Sequence, residues 1–269
     1  GVINAQGTVG GFMKAPTVDA NLAVTAGAVE DVQFDALRAD VKYKGDRATI
    51  DAALDQTATN RLTAVGTLPI ASGGAPSTAK LELRVKSTPI DLGLAQAFTK
   101  EVSAIGGVGV IDMTVTGSLQ DPILDGGVQI DNGTFTVEGT GVTYSNATAR
   151  IVFEQNHLQI GQFQLQDEDG HLLKAVGALD VFGRSAQGAL DLKITAEQFH
   201  MLDSRLGNVQ MNVDMTLAGD VAHPRISGML RVDQGRIDVG QVLEVTTKSV
   251  YSTRPQAAED DPDAPPPDP

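Results

Sequence analysis

Apolar and polar residues alternate with period two along most of this chain, a spacing that confines it to strands with one greasy and one wet face. The longest run sets Val209, Met211, Val213, Met215 and Leu217 on one side and Gln210, Asn212, Asp214 and Thr216 on the other. Leu81, Leu83 and Val85 repeat the pattern, as do Leu190, Leu192 and Ile194. Turn-forming pairs between such runs predict tight hairpins. A two-residue turn at Asn132-Gly133 sets Ile130 opposite Phe135 and Val128 opposite Val137. One at Gln234-Gly235 sets Val232 opposite Ile237 and Leu230 opposite Val239, and one at Gln155-Asn156 sets Phe153 opposite Leu158 and Ile151 opposite Ile160. In all three, both strands turn their apolar residues to the same side.

Helix signals are few and short. Thr88-Pro89 reads as a cap and first-turn pair ahead of the stripe Leu92, Ala95, Phe98 and Val102. Thr195 with Gln198 reads as a capping box before Phe199, Leu202 and Leu206. Helices this small cannot cover sheets built from the rest of the chain.

A longer repetition organises the strands. Gly7, Pro16 and Gly27 share a frame with Gly117, Pro122 and Gly133 and with Gly219, Pro224 and Gly235; Pro and the second Gly stand eleven apart each time. Ala64-Val65-Gly66-Thr67-Leu68 recurs as Ala175-Val176-Gly177-Ala178-Leu179. The chain therefore divides into a first module over 1–106, a second over 107–208 and the opening of a third over 209–254, stacked along one axis. Residues 255–269, with six prolines, five acids and no basic residue, read as a disordered linker. Beginning at Gly1, the chain reads as an excerpt of a longer protein.

Composition excludes several functions. A net charge of −14 from 20 basic and 34 acidic residues argues against a nucleic-acid partner, which needs clustered Lys and Arg. Without cysteine there is no disulfide, thiolate metal site or Cys nucleophile. His157, His171, His200 and His223 are scattered and read as turn or surface residues; Asp167-Glu168-Asp169-Gly170 lacks the ligand ladder of a calcium loop and reads as a polar hairpin turn. Gly106, Gly107 and Gly109 make no dinucleotide fingerprint, and no Gly-x-Ser-x-Gly elbow occurs. The expectation is a protein that is not an enzyme and carries no cofactor or metal.

Something has to cover the apolar face of such sheets. Either they close into a dry sandwich or barrel, or they curl into a trough whose lining meets an apolar guest. The lining is nearly all Val, Ile, Leu and Met, and it persists from repeat to repeat, which favours the trough. At roughly ten residues per strand and turn and about 4.8 Å between strands, its length is on the order of 100 Å. The candidate lining is Val128, Ile130, Phe135, Val137, Phe153, Leu158, Ile160, Leu190, Leu192, Ile194, Val209, Met211, Val213, Met215, Leu217, Leu230, Val232, Ile237 and Val239. In an open trough, Val213→Arg or Ile130→Glu should block passage of a guest while most strands still fold.

The stretches VTGSLQDPILDGGVQIDNGTFTV (115–137) and LAGDVAHPRISGMLRVDQGRIDV (217–239) resemble the repeats of the TamB family, within the AsmA-like superfamily of bacterial envelope proteins. GTVGGFMKAPTVDANLAVTAGAV (7–29) matches more loosely, with four extra residues before Pro16. The resemblance implies an all-β fold of repeated antiparallel hairpins, curled into an elongated, taco-like trough with an apolar interior and one or two short helices. It also implies a periplasmic location in a Gram-negative bacterium, with an inner-membrane anchor outside this chain, and conduction of phospholipid acyl chains between the membranes. The alternatives are an assembly factor for outer-membrane β-barrels and autotransporters acting by β-augmentation, working with an insertase-type barrel partner, or a structural β-spacer.

Overall fold

The computed structural model describes residues 1–12, 15–29, 32–70, 79–181, 189–204, 207–221 and 223–237. They form β1 (Val2–Phe12), β2 (Ala15–Val29), β3 (Val32–Lys44), β4 (Arg47–Asp55), β5 (Arg61–Pro69), β6 (Leu81–Ser87), β7 (Ile90–Asp91), β8 (Val102–Gly117), β9 (Pro122–Val137), β10 (Val142–Glu154), β11 (His157–Gln166), β12 (Leu172–Asp180), β13 (Ala189–Ser204), β14 (Gly207–Asp220) and β15 (Pro224–Ile237), with one 3-10 segment over Leu92–Phe98. All fifteen strands belong to one antiparallel sheet in chain order, except that β6 pairs directly with β8 and the two-residue β7 sits beside β8. Apart from the 3-10 segment, no other layer packs on this sheet among the described residues. The molecule is an open, trough-like all-β structure.

The hairpins divide into those the sequence located and those it misplaced. Gln155 and Asn156, at φ 49° and 75°, make the two-residue turn between β10 and β11, with Phe153 opposite Leu158 and Ile151 opposite Ile160. Asn132-Gly133 and Gln234-Gly235 are not turns. Each lies inside a strand, so Val128, Ile130, Phe135 and Val137 share β9, and Leu230, Val232 and Ile237 share β15. Asn132, at φ 52°, is the left-handed residue of a β-bulge that bends β9. The true turns lie at the Gly-to-Pro interval of the frame: Gly11 pairs with Pro16, Gly117 with Pro122 and Gly219 with Pro224. Gly11, not Gly7, is therefore the first-copy residue, and all three copies read Gly, four residues, Pro. Each Pro stands at or next to the start of its strand, where a missing N–H is tolerated.

The register gives six path strands to each complete copy, β2 to β6 with β8, then β9 to β14. Fourteen strands on the path at about 4.8 Å spacing span roughly 60 Å. That is shorter than the sequence expectation, because residues 2–237 spend about 17 residues per strand and turn.

Both helix readings change. Leu92–Phe98 is a 3-10 segment capped by the Asp91 carboxylate, which accepts from the Gly93 N–H (2.8 Å), while Val102 opens β8. Thr88 instead accepts from the Arg61 N–H (2.8 Å). Thr195–Ser204 is strand: bulges between Ala196 and Phe199 and between His200 and Leu202 shift its apolar phase, which imitates a helical stripe. Leu206 lies outside the described residues.

Candidate functional site

Cross-strand partners point to the same side of a sheet, so the register can be followed from edge to edge. One row runs Ala5, Leu22, Ala39, Ala52, Ala64, Val85, Met113, Gly126, Phe153, Leu158, Leu179, Leu190, Gly219 and Pro224. It crosses every strand of the path without meeting a polar side chain. Two residues along each strand lie parallel apolar rows on the same face. The intervening positions form a polar face carrying pairs such as Arg84–Asp112 (3.3 Å), Lys86–Asp112 (3.2 Å) and Lys193–Asp214 (3.6 Å). The Lys86 ammonium holds the Asp112 carboxyl below its usual pKa.

Cross-strand pairing sets the residues of the sequence-chosen lining whose side chains are described on that one face. Val128, Ile130, Phe135 and Val137 of β9 pair with Ile151, Ala149, Tyr144 and Val142 of β10. Phe153 pairs with Leu158, and Ile160 lies two residues on. Leu190, Leu192 and Ile194 of β13 sit opposite Gly219, Leu217 and Met215 of β14; Met211, Val213 and Val209 face Phe199, Ala196 and Leu202. Leu230 and Val232 extend the face on β15, opposite Val213 and Met211, and the Ile237 backbone pairs with Gly207. Val239 lies outside the described residues.

The face is not uniform along the strands. At one lip of the second copy the hairpin β11–β12 is short, and β10 and β13, three strands apart in the sheet, pass beyond it and meet. Val142, Tyr144, Ala147, Leu165, Ala196, Phe199 and Val213 form a buried cluster there, with Val142 and Phe199 each 1% exposed. The Tyr144 and Phe199 rings stack at 5.3 Å and 3°, and the Tyr144 hydroxyl donates to the His200 carbonyl (3.1 Å). Toward the other lip Val128, Ile151, Phe153, Leu158, Ile160, Leu192 and Leu217 are all half-buried, while Leu190 is buried. Val213 thus belongs to packed core, not to accessible lining. Val213→Arg would unfold its surroundings instead of testing passage.

Sequence reasoning read the turn 167–170 as polar but missed its role. The Asp167 side chain is fully buried and accepts from the N–H groups of Asp169 (3.0 Å), His171 (2.8 Å) and His200 (2.9 Å) and from His171 Nδ1 (3.2 Å). Burial pushes its pKa up, yet these donors outweigh that and hold the carboxyl below its usual value. Burial, with Asp167 adding to it, raises the Tyr144 phenol. His200, expected at a turn or surface, has a side chain only 14% exposed. It lies 3.3 Å from the Asp169 carboxylate and accepts from the Gln210 amide (3.0 Å). No local pattern signals this clasp, since His200 reaches the turn only through the fold.

Two open concavities, of about 790 and 1170 Å³, lie mainly on the polar face, lined by residues such as Lys174, Asn212 and Asp214 or Asp19, Asp40 and Arg84. Away from the buried cluster, what the apolar face can do chemically is hold hydrocarbon without gripping any polar group.

The described residues thus form a single-layer, repetitive all-β trough with an apolar face. The family comparison agrees: the TamB C-terminal domain matches residues 48–263, and the chain belongs to the TamB family, whose members serve envelope assembly and lipid transport in Gram-negative bacteria. Neither curated proteins nor solved structures give a match. Among the described residues no helix is long and apolar enough to cross a membrane.

Proposed function

We propose that this segment conducts phospholipids, without enzymatic chemistry, by carrying their acyl chains along the apolar face while headgroups stay in water. The observation that supports the reading most is the unbroken row from Ala5 to Pro224, on a face that, among the described residues, nothing but the 3-10 segment covers. Each methylene moved from water to such a surface gains about 0.8 kcal/mol, so a chain of about a dozen gains on the order of 10 kcal/mol. The gain is similar at successive strands, and sliding along the row therefore meets no deep trap. In this reading the segment lies in the periplasm, tied to the inner membrane by an anchor outside it and delivering toward an insertase-type barrel in the outer membrane.

A second reading is an assembly factor that accepts client strands by β-augmentation. Mass spectrometry of gently purified protein separates the two. Co-purifying phospholipid, reduced by Leu192→Arg, is the expected result. Lipid-free protein that captures an unfolded β-barrel client would replace conduction with the assembly reading.

A further inference from the structure

We propose that the apolar face is divided lengthwise: the half clasped by Asp167 is a fixed bulkhead, and acyl chains travel only in the half beside the opposite lip. This rests on the lipid reading above and narrows it to particular residues.

The two halves differ in what they can offer a guest. Around Val142, Tyr144 and Phe199 the side chains already fill one another's surroundings, and a methylene could enter only by displacing them. The clasp prevents that displacement. To separate β10 from β13, the turn 167–170 must release His200, which leaves a buried carboxylate short of a donor and frees the Tyr144 hydroxyl from its carbonyl. The Asp203 N–H, bonded to the Thr140 carbonyl (2.9 Å), ties the same two hairpin ends.

The other half offers a lane. The cross-strand row from Ile111 through Val128, Ile151, Ile160, Leu192 and Leu217 is half-buried at every one of these positions. Between Ile160 and Leu192 the row passes Gly177, whose lack of a side chain lets the β13 backbone at Asp191 and Leu192 approach closely, so no side chain interrupts the row there.

The first copy repeats the division with different parts. Its bulkhead is the 3-10 segment, which lies on β8 so closely that a Cβ on Gly109 would meet Leu92 Cδ2 at 2.6 Å and one on Gly93 would meet Val32 Cγ2 at 2.4 Å. Phe34 and Ile90 are buried at this end. The Gln56 side chain, from the β4–β5 turn, accepts from the Asp91 N–H (2.8 Å), the counterpart of Asp167 accepting from His200. Ile50, Leu83 and Val115, toward the opposite lip, are half-buried, while Ala48 and Leu81 at its margin are buried. Two unrelated plugs shut the same lip, so an accessible lane along the other lip continues from copy to copy.

The test places the photoreactive amino acid para-azidophenylalanine, which adds only three atoms to a phenylalanine ring, at Ile160 or at Phe199. Each protein is irradiated with vesicles of phosphatidylethanolamine and phosphatidylglycerol, and lipid adducts are counted by mass spectrometry. At least fivefold more adduct at Ile160 than at Phe199 is expected. Equal labelling overturns the division and leaves conduction standing; labelling at neither position overturns conduction, and the division with it. In the Phe199 probe protein, adding Asp167→Ala should raise labelling to the Ile160 level while far-ultraviolet circular dichroism stays β-rich. If that variant does not fold, Asp167→Asn, which keeps one acceptor oxygen, takes its place. Unchanged labelling in a folded variant overturns the role given to Asp167.

Discussion

Gly177→Ala should damage the sheet far more than its one added methyl suggests. An alanine Cβ there would lie 2.0 Å from the Asp191 carbonyl oxygen and 2.9 Å from the Leu192 Cα, while ordinary contact begins near 3.4 Å. Both neighbours are backbone held in the ladder from Leu173–Ala196 to Leu179–Leu190, so neither can rotate away. The φ of +140° adds strain for any residue with a side chain. Overpacking costs about 1–3 kcal/mol and an unfavourable backbone about 1–3 kcal/mol, or about 2–6 kcal/mol together. At about 2–4 °C per kcal/mol for a chain of this size, the midpoint should fall by roughly 5–20 °C. Gly161→Ala is the control, because its Cβ would come no closer than 3.8 Å to the Arg150 carbonyl and its φ is ordinary. That change should be neutral or stabilise by a few tenths of a kcal/mol by stiffening the unfolded chain. Thermal melts give the global effect, and hydrogen exchange at β12 and β13 amides localises it, since stacked repeats open piecewise. If the two variants melt together with equal protection of β12 and β13, the close approach at Gly177 is not a constraint and the register argument fails.

Asp167→Ala, which strands several donors, should cost about 3–5 kcal/mol in urea melts, and Asp167→Asn less. Because the folded pKa of Asp167 lies below the unfolded one, its contribution is present above the unfolded pKa and is lost as pH falls through the folded value; Asp167→Asn should flatten that acid limb of the stability profile. Val213→Arg should unfold the second copy, at a cost of several kcal/mol by circular dichroism, whereas Leu192→Arg, on the open half, should leave β content intact. Tyr144→Phe should cost about 1 kcal/mol, and Phe199→Ala about 3–5 kcal/mol, both read from denaturant midpoints.

Period-two alternation made the sheet and its apolar face legible because each strand carries its own facing information. The turn at Gln155-Asn156 was legible for the same reason: two left-handed residues suffice to make it. Asn132-Gly133 carries nearly the same signal but serves a bulge, since a left-handed residue can either reverse a strand or kink one, and only the partner strand decides. Bulges also explain the false helix, where Ile194, Ala196, Phe199 and Leu202 keep one face while their spacing drifts from two to three. The clasp was illegible because Asp167 and His200 are 33 residues apart and meet only where β10 and β13 pass over the hairpin between them.

Because each copy contributes an even number of strands, six, the next one starts in the same direction and on the same side as the last. A duplication or excision of one whole unit would lengthen or shorten the molecule by about 29 Å without turning it inside out. A unit of five or seven strands would reverse its heading at every junction and set the closed rim of one unit beside the open rim of its neighbour.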